Sequence, residues 1–404
     1  MTARATAKPG IMGRTTLDQQ HLDTVLIIVI GVLLCGGLVM LTSASISLAE
    51  RNTGNPFFYL QRQLVAVAIG LTGAAVMMRI PTQVWERFGI VLVCLAIGLL
   101  MAVFVPGLGH TVNGSTRWLS IAGINIMQVS EPVRLLMLMY ISGYAVRHRQ
   151  ELRERFIGFA KPMLLVAGTC VLLLLQPDFG ASVILLMISL SVLFIAGARL
   201  RDFFACGVAV GGALALLAVS APYRMARLTA FLDPWADPYD SGFQLTQSLI
   251  AIGSGQWAGV GLGASVQKLF YLPEAHTDFV FAVIAEEFGL VGSVLLIGLF
   301  VILIARALGI ARESAASGRF YQANLAFGFA IWQGLQVFIN IGVNMGILPT
   351  KGLTLPLISY GRSSLIVTLI GLGLLLRIDY ENRRPAGRSW GSRTRSARKR
   401  ARQS

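Results

Sequence analysis

The chain has 404 residues, of which 55% are hydrophobic and 13% charged, against about 25% charged in soluble domains. Mean hydropathy is +0.69, and 43 residues are glycine. These values exclude a soluble globular protein and a disordered one, and leave an all-α polytopic membrane protein. The net charge of +15 raises nucleic-acid binding as a reading, but the distribution of the charges along the chain argues against it.

Residues 1–24 are polar and basic, too long a run for the n-region of a signal peptide, so an uncleaved first helix is expected even though Thr42-Ser43-Ala44 resembles a cleavage site. Ten apolar segments follow, at 25–43, 60–78, 88–105, 131–146, 162–176, 180–198, 203–221, 279–304, 321–347 and 356–376. Each approaches the ~20 residues that a spanning helix needs. Only Gln176-Pro177-Asp178-Phe179 divides the fifth from the sixth, and Pro with Asp favours a turn there. Cys35, Cys94, Cys170 and Cys206 each stand alone in an apolar run, so neither a disulfide framework nor a zinc site is expected.

With the N-terminus placed inside, 25 Lys and Arg fall in cytoplasmic segments. Six fall outside: Arg51, Arg117, Arg224, Arg227, Lys268 and Lys351. That split is a strong positive-inside signal and sets both termini in the cytoplasm. The expected organisation is an N-terminal segment 1–24, a transmembrane domain 25–377 with one long outer loop at 222–278 before the eighth span, and a basic cytoplasmic tail 378–404. Attraction of that tail to anionic membrane lipids accounts for its charge, and no nucleic acid is expected as a partner.

The outer loop carries most of the unusual residues. Gly242 to Ile252 presents Phe243, Leu245, Leu249 and Ile250 among Gln and Ser, the pattern of an interfacial amphipathic helix. Gly259-Val260-Gly261-Leu262-Gly263 resembles a nucleotide loop, but no strand precedes it and no βαβ unit surrounds it. Tight backbone packing near the membrane is the better reading. Asp278 stands at the mouth of the eighth span, either as a helix cap or as a carboxylate whose pKa desolvation raises. Glu286 and Glu287 lie deeper, where an ionised group costs about 2.5–3.5 kcal/mol, so at least one is expected to be paired or to line a wet cavity. Glu131 and Arg134, three residues apart at the start of the fourth span, share a helix face and can pair. Alternatively, Arg134 and the helix terminus hold a phosphate. Residues 349–361 bring Lys351, Ser359 and two prolines to the outer face, and Gln333, Gln336, Asn340 and Asn344 either bind helices together or line a groove.

Several of these stretches carry a resemblance: Asn113 to Leu119, Gln128 to Glu131, Gln176 to Gly180, Pro273 to Phe279, Glu286 to Gly289 and Lys351 to Gly361. In this order the sequence resembles the SEDS (FtsW/RodA) family over about residues 25–377, and at 274–279 and 351–356 it is most similar to the family's cell-division branch. Arg134 replaces a usual Lys and Arg362 a usual Gly. The resemblance implies a peptidoglycan glycosyltransferase of the bacterial inner membrane at the division septum. It polymerises lipid II and releases undecaprenyl pyrophosphate, with Asp278 as the catalytic base. Substrate binding is then expected at Arg117, Trp118, Glu131, Arg134, His276, Glu286, Lys351 and Ser359. A divalent cation, Mg or Mn, is a candidate cofactor. A class B penicillin-binding protein of the FtsI type and other divisome proteins are the implied partners. A lipid II flippase and a divisome scaffold are the rival readings.

Overall fold

The computed structural model describes residues 22–112, 115–121, 124–219, 231–238, 242–269, 271–350 and 352–383. Arg224, Arg227, Phe270, Lys351, residues 1–21 and the tail beyond Arg383 lie outside the described residues. Each of the ten apolar segments folds as a helix with shifted edges. In chain order the helices begin with α1 (Thr24–Thr53) and α2 (Phe58–Arg79), then a short α3 (Thr82–Arg87) and α4 (Gly89–Ala102). There follow α5 (Ser130–Arg147), a short α6 (Arg149–Glu154), α7 (Phe156–Leu175), α8 (Phe179–Ile195) and α9 (Leu200–Val219). The set closes with α10 (Phe243–Ser254), α11 (Val280–Ala316), α12 (Phe320–Asn344) and α13 (Arg362–Asn382). Six of these, α1, α2, α7, α11, α12 and α13, are long and apolar enough to cross a membrane, while α4 and α8 are shorter and apolar.

The purely helical expectation is corrected between α4 and α5. There β1 (Gly109–Val112), β2 (Ser115–Ile121) and β3 (Ile124–Gln128) form an antiparallel sheet in sequence order. Val112 pairs with Ser115 across the Asn113-Gly114 connection, a dipeptide that favours two-residue hairpins. Helix α13 also starts later than the tenth apolar run at 356–376. Leu355 to Tyr360 make a turn, with the Ile358 and Ser359 N–H groups donating to the Leu355 carbonyl at 3.2 and 3.0 Å. Gly37 of α1 admits that turn, because a Cβ there would stand 2.3 Å from the Leu357 oxygen.

The centre is formed by α12 and α13 together with α5, which buries Val133, Arg134, Met137, Leu138 and Ile141. Buried residues make up 67% of the apolar window of α12 and 72% of that of α13, against 28% in α2 and α11. The end of the bundle carrying the N-terminus is tied by charge. The Asp23 carboxylate caps α1 by accepting from the Leu26 N–H and takes the Arg306 Nε at 2.6 Å. Its own N–H donates to Asp379, which also holds Arg383 Nε at 2.9 Å. Glu381 accepts from the Thr82 N–H and from Arg377. The starts of α1 and α3 thus meet the far end of α13, as antiparallel packing requires.

Candidate active site

At the opposite end, Asp278 is fixed by its backbone rather than by its carboxylate. Asn340 and Asn344, one turn apart on α12, both donate Nδ2–H to the Asp278 carbonyl, at 2.9 and 3.0 Å. Asn340 also donates to the Leu353 carbonyl at 2.6 Å. The Asn344 Oδ1 accepts the Ala282 N–H at 3.1 Å, and the N-cap residue of α11 makes no side-chain cap of its own. The orphan N–H that Asp278 would serve as a cap is therefore satisfied from another helix. The two asparagines bind helices together, and the carboxylate of Asp278 is left without a hydrogen bond among the described residues.

Residues 352–361 build the floor beneath it. A side chain does not fit at Gly352, where a Cβ would lie 2.8 Å from the Asp278 Oδ2. The Ser359 hydroxyl accepts the Leu355 N–H at 2.8 Å, and Gln63 of α2 donates to the Ser359 carbonyl at 3.2 Å. Gln336 of α12 donates to the Thr354 carbonyl at 3.0 Å. The His276 carbonyl accepts the Tyr360 N–H at 2.9 Å, and its buried ring packs 4.8 Å from Tyr59 and 5.7 Å from Tyr360. Both His276 and Ser359 thus hold the floor and the Asp278 loop together.

The electrostatics follow from partial burial. Desolvation, reinforced by the exposed Glu274 carboxylate and opposed by Arg117, pushes the Asp278 carboxyl up to about 7. Desolvation also lowers the His276 pKa, with Glu274 opposing, so the ring is neutral at pH 7. Arg117 on β2 is close enough to act on Asp278, and its Nε has no partner among the described residues. Trp118 is half-buried beside it, its Cα paired with Gln128 of β3. Gln128 ties the sheet to the bundle: its N–H donates to Ser363 at 2.8 Å and its side chain to Ser130 and Asp178.

The remaining candidates lie elsewhere. Arg134 is buried and paired with Glu131, with the Ser130 carbonyl and the Gln336 Oε1 at 3.4 and 3.5 Å and the Trp332 ring at 5.5 Å. Among the described residues, its hydrogen-bonded link to the floor runs through Gln336. Glu286 is enclosed: its carboxylate accepts from the Ser265 hydroxyl and from the Val266 and Gln267 N–H groups. Glu287 pairs with Lys268 at 2.7 Å, and both contact the Ser43 hydroxyl of α1. Lys351 lies outside the described residues. Lys268 is the residue missed by reading the sequence, where it counted only as an outer cation. The available signal was the need of a carboxylate at that depth for a counter-charge.

Similarity to known proteins gives the family. The family model FtsW/RodA/SpoVE, described as "Cell cycle protein", matches residues 23–384. A protein of Thioalkalivibrio sulfidiphilus named "Probable peptidoglycan glycosyltransferase FtsW" is 56% identical over 362 residues, covering 90% of both chains. One of the same name from Coxiella burnetii is 52% identical over 86% of this chain and 94% of its own. Among solved structures, a chain from a peptidoglycan synthase complex that coordinates polymerization and crosslinking superimposes with a TM-score of 0.73 at 31% identity, over 89% of this chain and 98% of its own. The rod shape determining protein RodA of Thermus thermophilus gives 0.67 at 30% identity, over 91% of this chain and 100% of its own. The chain belongs to the FtsW/RodA/SpoVE family of cell cycle proteins.

Proposed function

We propose that this protein is a peptidoglycan glycosyltransferase that polymerises lipid II at the outer face of the cytoplasmic membrane, in the division septum, with Asp278 as general base. The observation that carries the mechanism is the Asp278 carboxylate itself: half-buried, free of any capping duty, and raised to about 7. A base with a pKa near the working pH is the most effective. The acceptor's GlcNAc 4-hydroxyl attacks the anomeric carbon of the lipid-linked strand and gives its proton to Asp278. The bond from that carbon to the phosphate oxygen breaks, and undecaprenyl pyrophosphate leaves with the electron pair. Pyrophosphate is a good leaving group once cations neutralise it, so one carboxylate suffices, unlike the pair used in glycoside hydrolysis. Arg117, whose charge acts on Asp278, is assigned this role, and Lys351, next to Gly352 in the chain, is assigned to the same task.

Arg134 supports the floor through Gln336 rather than meeting the pyrophosphate. A flippase route through Glu131, Arg134, Glu286 and Glu287 finds little support, since all four are engaged inside the bundle. Ten spans with both termini inside are supported by the helix found at each of the ten apolar segments and by the gathering of Asp23, Arg306 and Asp379 at the end opposite Asp278. Partnership with a class B penicillin-binding protein is supported by the likeness to a chain of a synthase complex; other divisome proteins belong to the same proposal. For a divalent cation, no group of three His, Cys, Asp or Glu gathers among the described residues, and no step here is routed through one.

Asp278→Asn tests the mechanism. It keeps size and backbone contacts, so it is expected to elute and melt like the parent while the initial rate of lipid II polymerisation falls at least ~100-fold. Long glycan from a well-folded Asp278→Asn protein would refute Asp278 as the base and leave it a purely structural residue. The same assay with a chelator, then with Mg or Mn restored, tests the cation.

A further inference from the structure

Residues 256–269 are built inside out for an aqueous loop. Trp257, Leu262 and Val266 are 75%, 57% and 55% exposed, and Val260 and Leu269 are exposed beside them, while Ser265, Gln267 and Lys268 are buried. The segment is also stitched into a break in α11. At Gly289 the backbone leaves the helix (φ 65°, ψ −159°), and a Cβ there would strike the Gly259 nitrogen at 2.4 Å. The carbonyls of Glu286 and Glu287 that the break frees accept from the N–H groups of Val260 and Gly261, both at 3.0 Å. The N–H groups of Leu290 and Val291 donate in return to the carbonyls of Gln256 and Trp257, at 2.9 and 3.1 Å.

Depth follows from the same contacts. Arg306 marks the charged layer at the Asp23 end of the bundle. It stands fifteen positions along α11 from Val291, about 22 Å at ~1.5 Å per residue, within the ~30 Å hydrocarbon core. Val291, Val294 and Leu295 of α11 are exposed as well, and Val291 is bonded through its N–H to the segment at Trp257. Irregular backbone at such depth must have its polar groups satisfied within the protein, and here most are. Gly259, Val260, Gly261 and Ala264 donate their N–H groups to carbonyls, and Val266, Gln267, Lys268 and Leu269 donate in an unbroken run to Glu286, Ser265 and Val266.

We infer that residues 256–269 form a re-entrant element inserted in the outer leaflet, whose exposed face is a surface for lipid acyl chains. The half-helix 280–288, just after Asp278, is thereby held from the lipid side by the Glu286 and Glu287 contacts. The features point to one occupant: apart from Gln256 at the start, the large exposed side chains are apolar, Ser265, Gln267 and Lys268 turn inward, and most of the backbone N–H groups are bonded within the protein.

Depth measurement by spin label tests this in proteoliposomes of the full chain, with Cys35, Cys94, Cys170 and Cys206 replaced by Ser. Val260→Cys, Leu262→Cys and Val266→Cys carry a nitroxide, with Val294→Cys as lipid reference and Asn52→Cys as water reference. The three labels are expected to match Val294→Cys, accessible to oxygen and shielded from a polar nickel chelate. Values like those of Asn52→Cys would overturn the proposal in favour of an aqueous loop. Labels shielded from both reagents would overturn it in favour of a protein-covered surface. Leu269→Cys replaces any variant that loses monodisperse elution.

Discussion

Asp278 shows how neighbours decide the chemistry of one carboxylate. Its folded pKa of about 7 lies well above the ordinary value near 3.9, so the folded protein holds this proton more tightly than the unfolded chain does. The contribution of Asp278 to stability is therefore neutral below about pH 4, falls as pH rises toward 7, and stays at its low level above that. Activity runs the other way, because only the ionised base accepts a proton, and polymerisation is expected to rise with pH through about 7. Glu274→Gln removes one raising influence and leaves desolvation, the larger one. The acid limb of the rate profile should move to lower pH while remaining above the ordinary carboxylate range. A limb that stays put or moves up in Glu274→Gln would show that the profile does not report Asp278.

The broken helix α11 and the segment packed against it depend on each other. The Lys268–Glu287 pair is almost fully buried, at 5% and 0% side-chain exposure, and a buried pair loses far more when one member is removed than when both are replaced by apolar groups. Lys268→Met is expected to cost about 3–5 kcal/mol by leaving the Glu287 charge uncompensated. Lys268→Met with Glu287→Leu should recover most of that. Thermal melting in detergent distinguishes the two, and a double variant as unstable as the single one would mean that the pair is not the structural tie. Gly289 is constrained more simply. Its positive φ and the 2.4 Å approach of the Gly259 nitrogen leave no room for a side chain.

At the scale of the molecule, charge is sorted to one end and the candidate site to the other. The buried acids Asp23 and Asp379 hold Arg306 and Arg383 where α1, α11 and α13 meet, whereas Asp278, Arg117 and the floor 352–361 occupy the far end. If both termini are cytoplasmic, a fluorescent protein fused after Ser404 glows and a phosphatase fused there is inactive, while a phosphatase inserted within 231–238 is active. The reverse pattern would turn the site toward the cytoplasm and remove the proposed access to lipid-linked sugars. Between these ends, α12 and α13 run through the centre, and α12 alone carries Gln336, Asn340 and Asn344 to three different parts of the site.

The sequence by itself determined the lipid-solvated class of the chain, its ten helical segments and the stretch that holds Asp278, because hydropathy and the spacing of charges are local properties that survive without coordinates. It left Asp278 between cap and base, and it left Arg134 between a pair and a phosphate site. Those choices depend on groups far away in sequence: Asn344 supplies the cap to Ala282, and Gln336 joins Glu131 around the guanidinium. The small sheet at 109–128 escaped a reading tuned to long apolar runs, since its strands are four to seven residues long. Lys268 looked like a solvated loop cation, and only the tertiary structure, by breaking α11 at Gly289 and folding 256–269 into the gap, brought it to Glu287. Periodicity reports which face of an element is apolar. Which distant donor satisfies a buried acceptor is settled by packing alone.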